Sequence, residues 1–129
     1  MKFALLVTAA PYSQQGAATA LRFAQAALQA GHTIERVFFF RDGIHNASNL
    51  SVAPQDEMNV PAAWHTFCRE QQIDTVACVS AALRRGVLDA RESQRHRLPA
   101  ANMADSVQIG GLGLLTEAII HADRVVTFG

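Results

Sequence analysis

The first forty residues alternate between two patterns of hydrophobic positions. The stretch "KFALLVT" (Lys2–Thr8) is almost continuously apolar, which is typical of a strand covered on both faces. From Ala17 to Ala30 the apolar residues recur every three or four positions, which predicts a helix that ends at Gly31. The stretch "TIERVFFF" (Thr33–Phe40) predicts a second strand. The chain therefore opens with a strand, a helix and a strand.

The same alternation continues in the second half of the chain. Pro61 suits the first turn of a helix, and "DTVACV" (Asp74–Val79) predicts a third buried strand. Ser80 is expected to cap a short helical turn that ends at Gly86.

Two further strands and one helix are predicted near the end. "SVQIG" (Ser106–Gly110) indicates a short fourth strand, Leu114–Ala122 a helix, and "RVVTF" (Arg124–Phe128) a final strand. The segment Val87–Ala104 is polar and arginine-rich, and its pattern predicts no clear element.

This order of elements predicts an α/β fold. Alternating strands and helices require crossovers above and below a parallel sheet. We expect one domain over residues 1–129, with three layers and a five-stranded, mainly parallel sheet, flavodoxin-like in outline. In such folds the functional crevice lies at the carboxyl ends of the strands, at the point where the strand order reverses. That edge should carry Cys78 and Ser80.

A long polar segment follows the second strand. It runs from Arg41 to Asn59, and loops of this length in a small domain are commonly functional or partner-binding. We expect it to be either a partner-contact lid or ordinary irregular cover.

Charge and cysteine content exclude several classes of function. Basic and acidic residues balance at 11 each, which disfavours direct binding to nucleic acid. The apolar start is too short for a signal peptide or a membrane span, so a soluble, cytoplasmic protein is expected. The two cysteines are too few and too far apart for a zinc knuckle or a disulfide framework. No metal site and no cofactor are predicted.

The two cysteines differ in their predicted surroundings. Cys68 shares a helical stripe with Trp64, where packing explains it, as for most free cysteines. Cys78 lies where a strand ends and a helix begins, and free amide groups there favour a negative sulfur. Arg84 should lie over Ser80 and add positive potential. These residues alone leave a structural and a reactive role for Cys78 equally open.

Five stretches along the whole chain have a characteristic order and spacing: "KFALLVT" with the following "PYSQQ", "VFFFRDGIHNASNL", "CVSAALRRGV", "GGLG" and "DRVVTF". In that order and spacing the chain resembles the DsrE family of sulfurtransferases. The resemblance implies that Cys78 carries sulfur as a persulfide, without a cofactor. A thiol that exchanges sulfur with other proteins has to be reached by them, so we expect Cys78 to be exposed. One position departs from the family pattern, because His45 stands where a tyrosine is expected.

The resemblance also implies partners. A TusA-like carrier would supply the sulfur, a TusE-like carrier would receive it, and TusB-like and TusC-like subunits would complete a heterohexamer. The pathway would end in 2-thiouridine at the wobble position of transfer RNA.

Three alternatives stay open beside this interpretation. One is a DsrE-type subunit of a dissimilatory sulfur-oxidation relay, and another is a non-catalytic assembly subunit. The third is a flavodoxin-type nucleotide-binding domain, which the absence of a phosphate-binding fingerprint after the first strand disfavours.

Overall fold

The computed structural model describes residues 1–129. The strands are β1 (Lys2–Val7), β2 (Thr33–Phe39), β3 (Thr75–Cys78), β4 (Gln108–Gly110) and β5 (Arg124–Phe128). The α-helices are α1 (Gly16–Gln29), α2 (Val60–Glu70), α3 (Val79–Arg85), α4 (Ala90–Arg95) and α5 (Leu112–His121). A 3₁₀ helix spans Arg41–Ala47.

All five strands belong to one parallel sheet with the order β4-β3-β2-β1-β5. The chain builds the sheet outward from β1 to β4 and then returns so that β5 pairs with the free edge of β1. The prediction of a five-stranded parallel sheet is therefore confirmed. Because every strand points the same way, the segments that follow β1, β2, β3 and β4 all emerge at one edge.

One face of the sheet is covered by α1 and α2. The indole nitrogen of Trp64 on α2 donates a hydrogen bond of 3.2 Å to the carbonyl oxygen of Ala17 on α1. The same indole packs edge-to-face against Phe39 of β2, with ring centroids 5.6 Å apart. Trp64 is fully buried, so one side chain joins both helices to the sheet.

The opposite face carries α5, which Arg36 of β2 holds in place. Arg36 lies three residues before Phe39 and therefore points to the other face. Its Nε donates to Asp74 at 2.6 Å, and its terminal nitrogen donates to the carbonyl oxygen of Leu114 at 2.7 Å. Since Arg36 is almost fully buried, these bonds satisfy a charge that burial alone would make costly. Helices on both faces confirm the predicted three layers.

The structure corrects two local predictions. Ser80 does not cap α3, because Cys78 is the N-cap residue and no side chain bonds to the free amides there. The segment that showed no clear pattern contains α4, whose cap is Asp89, accepting from the amide of Glu92 at 2.8 Å. The aspartate and the glutamate three positions later form a capping pattern that the sequence already showed.

The long polar segment is partly ordered by its own hydrogen bonds. Its first part is the 3₁₀ helix, and its last residue, Asn59, caps α2 by accepting from the amide of Ala62 at 3.1 Å. The side-chain nitrogen of Asn59 also donates to the carbonyl oxygen of Ser51 at 2.8 Å. The segment therefore forms a fixed cover near the edge of the sheet.

None of the helices combines the length with the apolar character that crossing a bilayer requires. The longest, α1, has 14 residues.

Gly43 fixes how closely the 3₁₀ helix approaches β1. A Cβ atom at this position would lie 2.0 Å from the carbonyl oxygen of Val7, which is backbone and cannot swing away. We therefore predict that Gly43→Ala lowers the free energy of unfolding by about 1–3 kcal/mol or more. Gly113→Ala on α5 is the matched control, since no atom lies within 4 Å of its added methyl group. That control should raise stability by roughly 0.5–1 kcal/mol, because alanine favours helices.

Denaturant unfolding of both variants measures the two effects. Equal stability of Gly43→Ala and the parent chain would contradict the packing described for the 3₁₀ helix.

Candidate functional site at the carboxyl end of strand β3

Cys78 occupies the junction between a central strand and a helix. It is the last residue of β3, pairs in register with Gly110 of β4, and is the N-cap residue of α3. Its φ of −60° and ψ of 124° are ordinary extended values, so the junction needs no backbone strain. The predicted position of the cysteine, at the carboxyl edge of the sheet, agrees with the structure.

The site does not lie where the strand order reverses. That reversal is at β1, whose neighbours are β2 and β5, whereas β3 is separated from β1 by β2. Cys78 therefore lies at the edge of the sheet that the general rule predicts, but not on the strand that it predicts.

The structure contradicts the expectation that the Cys78 thiol is exposed. Only 1% of Cys78 is accessible, and it belongs to the main apolar core. The neighbouring Ser80 is exposed, and its Oγ lies 3.5 Å from the sulfur. The sulfur is thus sheltered, but a surface residue is in direct contact with it.

Helix α3 ends at Gly86 as predicted, in the left-handed conformation with φ of 69°. The helix has only seven residues, so its dipole is weak. Arg84 is exposed and makes no hydrogen bond or ion pair within the chain. Its predicted place over Ser80 stays a prediction.

Arg85 joins α3 to the 3₁₀ helix. Its Nε donates to a carboxylate oxygen of Asp42 at 3.0 Å, and a terminal nitrogen donates to the carbonyl oxygen of Ala81 at 3.2 Å. Asp42 is largely exposed, so this ion pair contributes at most about 1 kcal/mol. Sequence reasoning missed this link, because the two residues are 43 positions apart.

Asn46 of the 3₁₀ helix is a buried polar residue that the sequence did not single out. Its side-chain nitrogen donates to the carbonyl oxygens of Ala9 and Gly43, both at 3.0 Å. Its backbone carbonyl oxygen lies 2.8 Å from Nε2 of His65. These bonds tie the segments after β1 and β2 together at the same edge as Cys78.

His65 and His45 have different surroundings. Burial lowers the pKa of His65; the bond to Asn46 opposes this shift and the nearby charge of Arg69 adds to it. His45, at the position where the family pattern has a tyrosine, is half-buried in the 3₁₀ helix.

Cys68 lies at the other end of β3 and has a packing role. It is buried on α2, and burial raises the pKa of its thiol to about 11, although a hydrogen bond with Thr75 partly opposes the shift. A thiol with this pKa stays protonated at neutral pH and is a poor nucleophile. The prediction that Cys68 is a packing residue agrees with this environment.

Comparison with known proteins identifies the family. The DsrE/DsrF-like family matches residues 1–128, and the chain belongs to it. The relatives include a sulfurtransferase TusD homolog of Pseudomonas aeruginosa, 48% identical over 100% of this chain and 98% of its own length. The sulfurtransferase class predicted from the sequence is therefore confirmed.

Two more relatives and one solved structure extend the comparison. Sulfurtransferase TusD of Cronobacter sakazakii is 44% identical over 99% of this chain and 100% of its own length. A protein of Allochromatium vinosum that carries the name DsrE is also 44% identical, over 100% of this chain and 99% of its own length. The YchN crystal structure from E. coli superposes with a TM-score of 0.78 at 22% identity, covering 99% of each chain, which supports the fold.

The raised pKa of Cys68 predicts a specific loss of stability in alkaline solution. The folded chain holds this proton more tightly than the unfolded chain, whose thiol titrates near 9.0. The stabilisation is therefore fully present below pH 9. As the pH rises toward about 11, the free energy of unfolding falls by about 2 kcal/mol.

Denaturant unfolding from pH 8 to pH 11 measures this loss, and Cys68→Ala is the control that should show a flatter profile. The two proteins differ only at position 68, so the difference between their profiles isolates this thiol. Identical profiles for the two proteins would contradict the buried thiol environment.

Proposed function

We propose that the chain accepts sulfur as a persulfide on Cys78 from a TusA-like carrier and passes it to a TusE-like carrier. The pathway that we propose takes place in the cytoplasm and ends in 2-thiouridine at the wobble position of transfer RNA. Relatives named TusD at 41–48% identity over nearly the whole chain support this function. The observation that carries the assignment to Cys78 is its position, as the one thiol at the carboxyl edge of the sheet.

The transfer is a thiol exchange that needs no net oxidation. The Cys78 thiolate attacks the outer sulfur of the donor's Cys-S-SH group, a new S–S bond forms, and the donor's own S–S bond breaks. The donor leaves as a cysteine thiolate, and the proton that Cys78 lost before the attack goes to solvent. In the second half, a thiolate of the next carrier attacks the outer sulfur, and Cys78 is in turn the leaving group.

Cys68 cannot easily replace Cys78 in this exchange. Its pKa of about 11 leaves very little thiolate at neutral pH, and it lies beside Thr75, at the opposite end of β3. One cysteine is sufficient, because each step joins two proteins and needs no second thiol in this chain.

The burial of Cys78 requires a local opening during transfer. The covering elements include α3 and the 3₁₀ helix, which the surface ion pair of Asp42 and Arg85 connects. Exposed pairs of this kind are weak, so a docking carrier can break the contact at small cost. The shelter also protects a persulfide from unwanted thiols and oxidants between transfers.

An exposed apolar face supports assembly with related subunits. Leu112 and Ile119 of α5 lie seven residues apart on one face of the helix, and both are about half exposed. Ile120 is 72% exposed and Val125 of β5 is 39% exposed. Three exposed apolar side chains on one short helix favour a protein interface, and we propose TusB-like and TusC-like subunits as the partners.

A second candidate function is a subunit of a dissimilatory sulfur-oxidation relay. The DsrE relative of Allochromatium vinosum, at 44% identity, favours it. The chemistry at Cys78 would be the same in both, and only the recipient of the sulfur would differ. Transfer of radiolabelled sulfur to a purified TusE-like acceptor, followed by assay of thiolated transfer RNA, separates the two functions.

Substitution of each cysteine tests the assignment. Incubation with a persulfidated TusA-like donor should add about 32 Da, the mass of one sulfur atom, to the parent chain. Cys78→Ser should abolish the adduct and reduce onward transfer at least 100-fold, while Cys68→Ala should retain both. Trypsin separates the two thiols, because Arg69 follows Cys68 directly and Cys78 falls in the fragment Glu70–Arg84.

Loss of the adduct in Cys68→Ala but not in Cys78→Ser would overturn the assignment. Full relay activity of Cys78→Ser would instead support a non-catalytic assembly subunit. Circular dichroism of each variant verifies that the fold is intact.

A further inference from the structure

The sulfur of Cys78 has one hydrogen-bonding partner in the chain, and it is the hydroxyl group of Ser80. The two atoms are 3.5 Å apart, which is a normal distance for a bond to sulfur. Ser80 lies in the first turn of α3, yet its hydroxyl caps none of the free amides of that helix. The hydroxyl is therefore available for a hydrogen bond with the sulfur.

We propose that Ser80 is a positioning residue that donates its hydroxyl proton to the Cys78 sulfur whenever that sulfur carries negative charge. This role rests on the proposed function of Cys78 as the sulfur carrier. In the neutral pair either group can donate to the other. Once the thiol has lost its proton, the sulfur can only accept, so the serine must be the donor.

The direction of the bond decides its effect on reactivity. Hydrogen bonds to a charged acceptor are about twice as strong as those between neutral groups. The Ser80 hydroxyl therefore stabilises the thiolate more than the thiol, and it increases the fraction of Cys78 ready to attack a donor persulfide. Because Cys78 is only 1% exposed, water cannot replace this bond in the closed chain.

The same bond assists the second half of the exchange. When the next carrier attacks the outer sulfur, the S–S bond breaks and its electron pair moves to the inner sulfur of Cys78. Negative charge then develops at the atom that lies 3.5 Å from the Ser80 hydroxyl in the resting chain. A donor already placed where charge develops accelerates departure of the leaving group.

The pH dependence of alkylation tests this role. The rate at which iodoacetamide modifies Cys78 is measured from pH 5 to pH 10 in a Cys68→Ala background, which leaves a single thiol. We predict that Ser80→Ala moves the pH midpoint of this rate upward by roughly 0.5–1 unit. Ser80→Thr, which keeps a hydroxyl group, should restore most of the parent midpoint.

Discharge of the persulfide provides a second readout. Ser80→Ala should slow sulfur transfer from charged Cys78 to a TusE-like acceptor roughly 3- to 10-fold, since the leaving thiolate loses its donor. Thr66→Ala is the matched control. It removes another exposed helical hydroxyl, from α2, and should change neither the midpoint nor the discharge rate.

The outcomes separate this proposal from the proposed function. An unchanged midpoint and an unchanged discharge rate in Ser80→Ala would overturn the role of the serine, even if Cys78 still accepts sulfur. Failure of the parent chain to take up sulfur on Cys78 would instead overturn the proposed function. A purely structural serine would lower the melting temperature without moving the pH midpoint.

Discussion

The join between β3 and α3 is the constraint on which the rest of the site depends. Strand β3 lies between β2 and β4; its pairing with β2 ends at Ala77, and its last residue, Cys78, pairs with Gly110 of β4. Helix α3 begins at the very next residue, Val79, which leaves no loop to place Cys78 at the surface. The sulfur is consequently fixed at the carboxyl edge of the sheet and buried by the same geometry.

This arrangement places two physical requirements in opposition. A nucleophilic sulfur must carry negative charge, whereas burial among apolar side chains makes a charge costly. In the structure a polar surface residue contacts the sulfur, and a weak surface ion pair is one of the contacts that join α3 to the 3₁₀ helix. For Cys68 the cost of burial dominates: burial raises the pKa of that thiol to about 11, although a hydrogen bond with Thr75 opposes the shift. The two cysteines thus differ in environment, although both are inaccessible in the isolated chain.

The features that follow from local sequence could be predicted, and those that follow from long-range contacts could not. Short segments rich in apolar residues predicted all five strands, and Gly86 predicted the end of α3, because each signal lies within a few residues. Helix α4 was missed although Asp89 and Glu92 supplied its capping pattern, since its six residues are too few to show a hydrophobic period. The burial of Cys78 could not be predicted, because it depends on how elements far apart in the chain pack together. One of them is the 3₁₀ helix, which contacts both β3 and α3 and has no periodic pattern that would predict it. The resemblance to a family supplied the role of the cysteine, but not its shelter or its contact with Ser80.

The most direct test of the account examines the protein as cells make it. The chain is recovered with its partners, and all accessible thiols and persulfides are blocked before it is unfolded. It is then digested with trypsin, and mass spectrometry gives the mass of each fragment. The account predicts an additional sulfur on the fragment Glu70–Arg84, which contains Cys78, and none on the fragment that ends with Cys68 and Arg69. Extra sulfur confined to the Cys68 fragment, or absent from both under active sulfur flux, would contradict it.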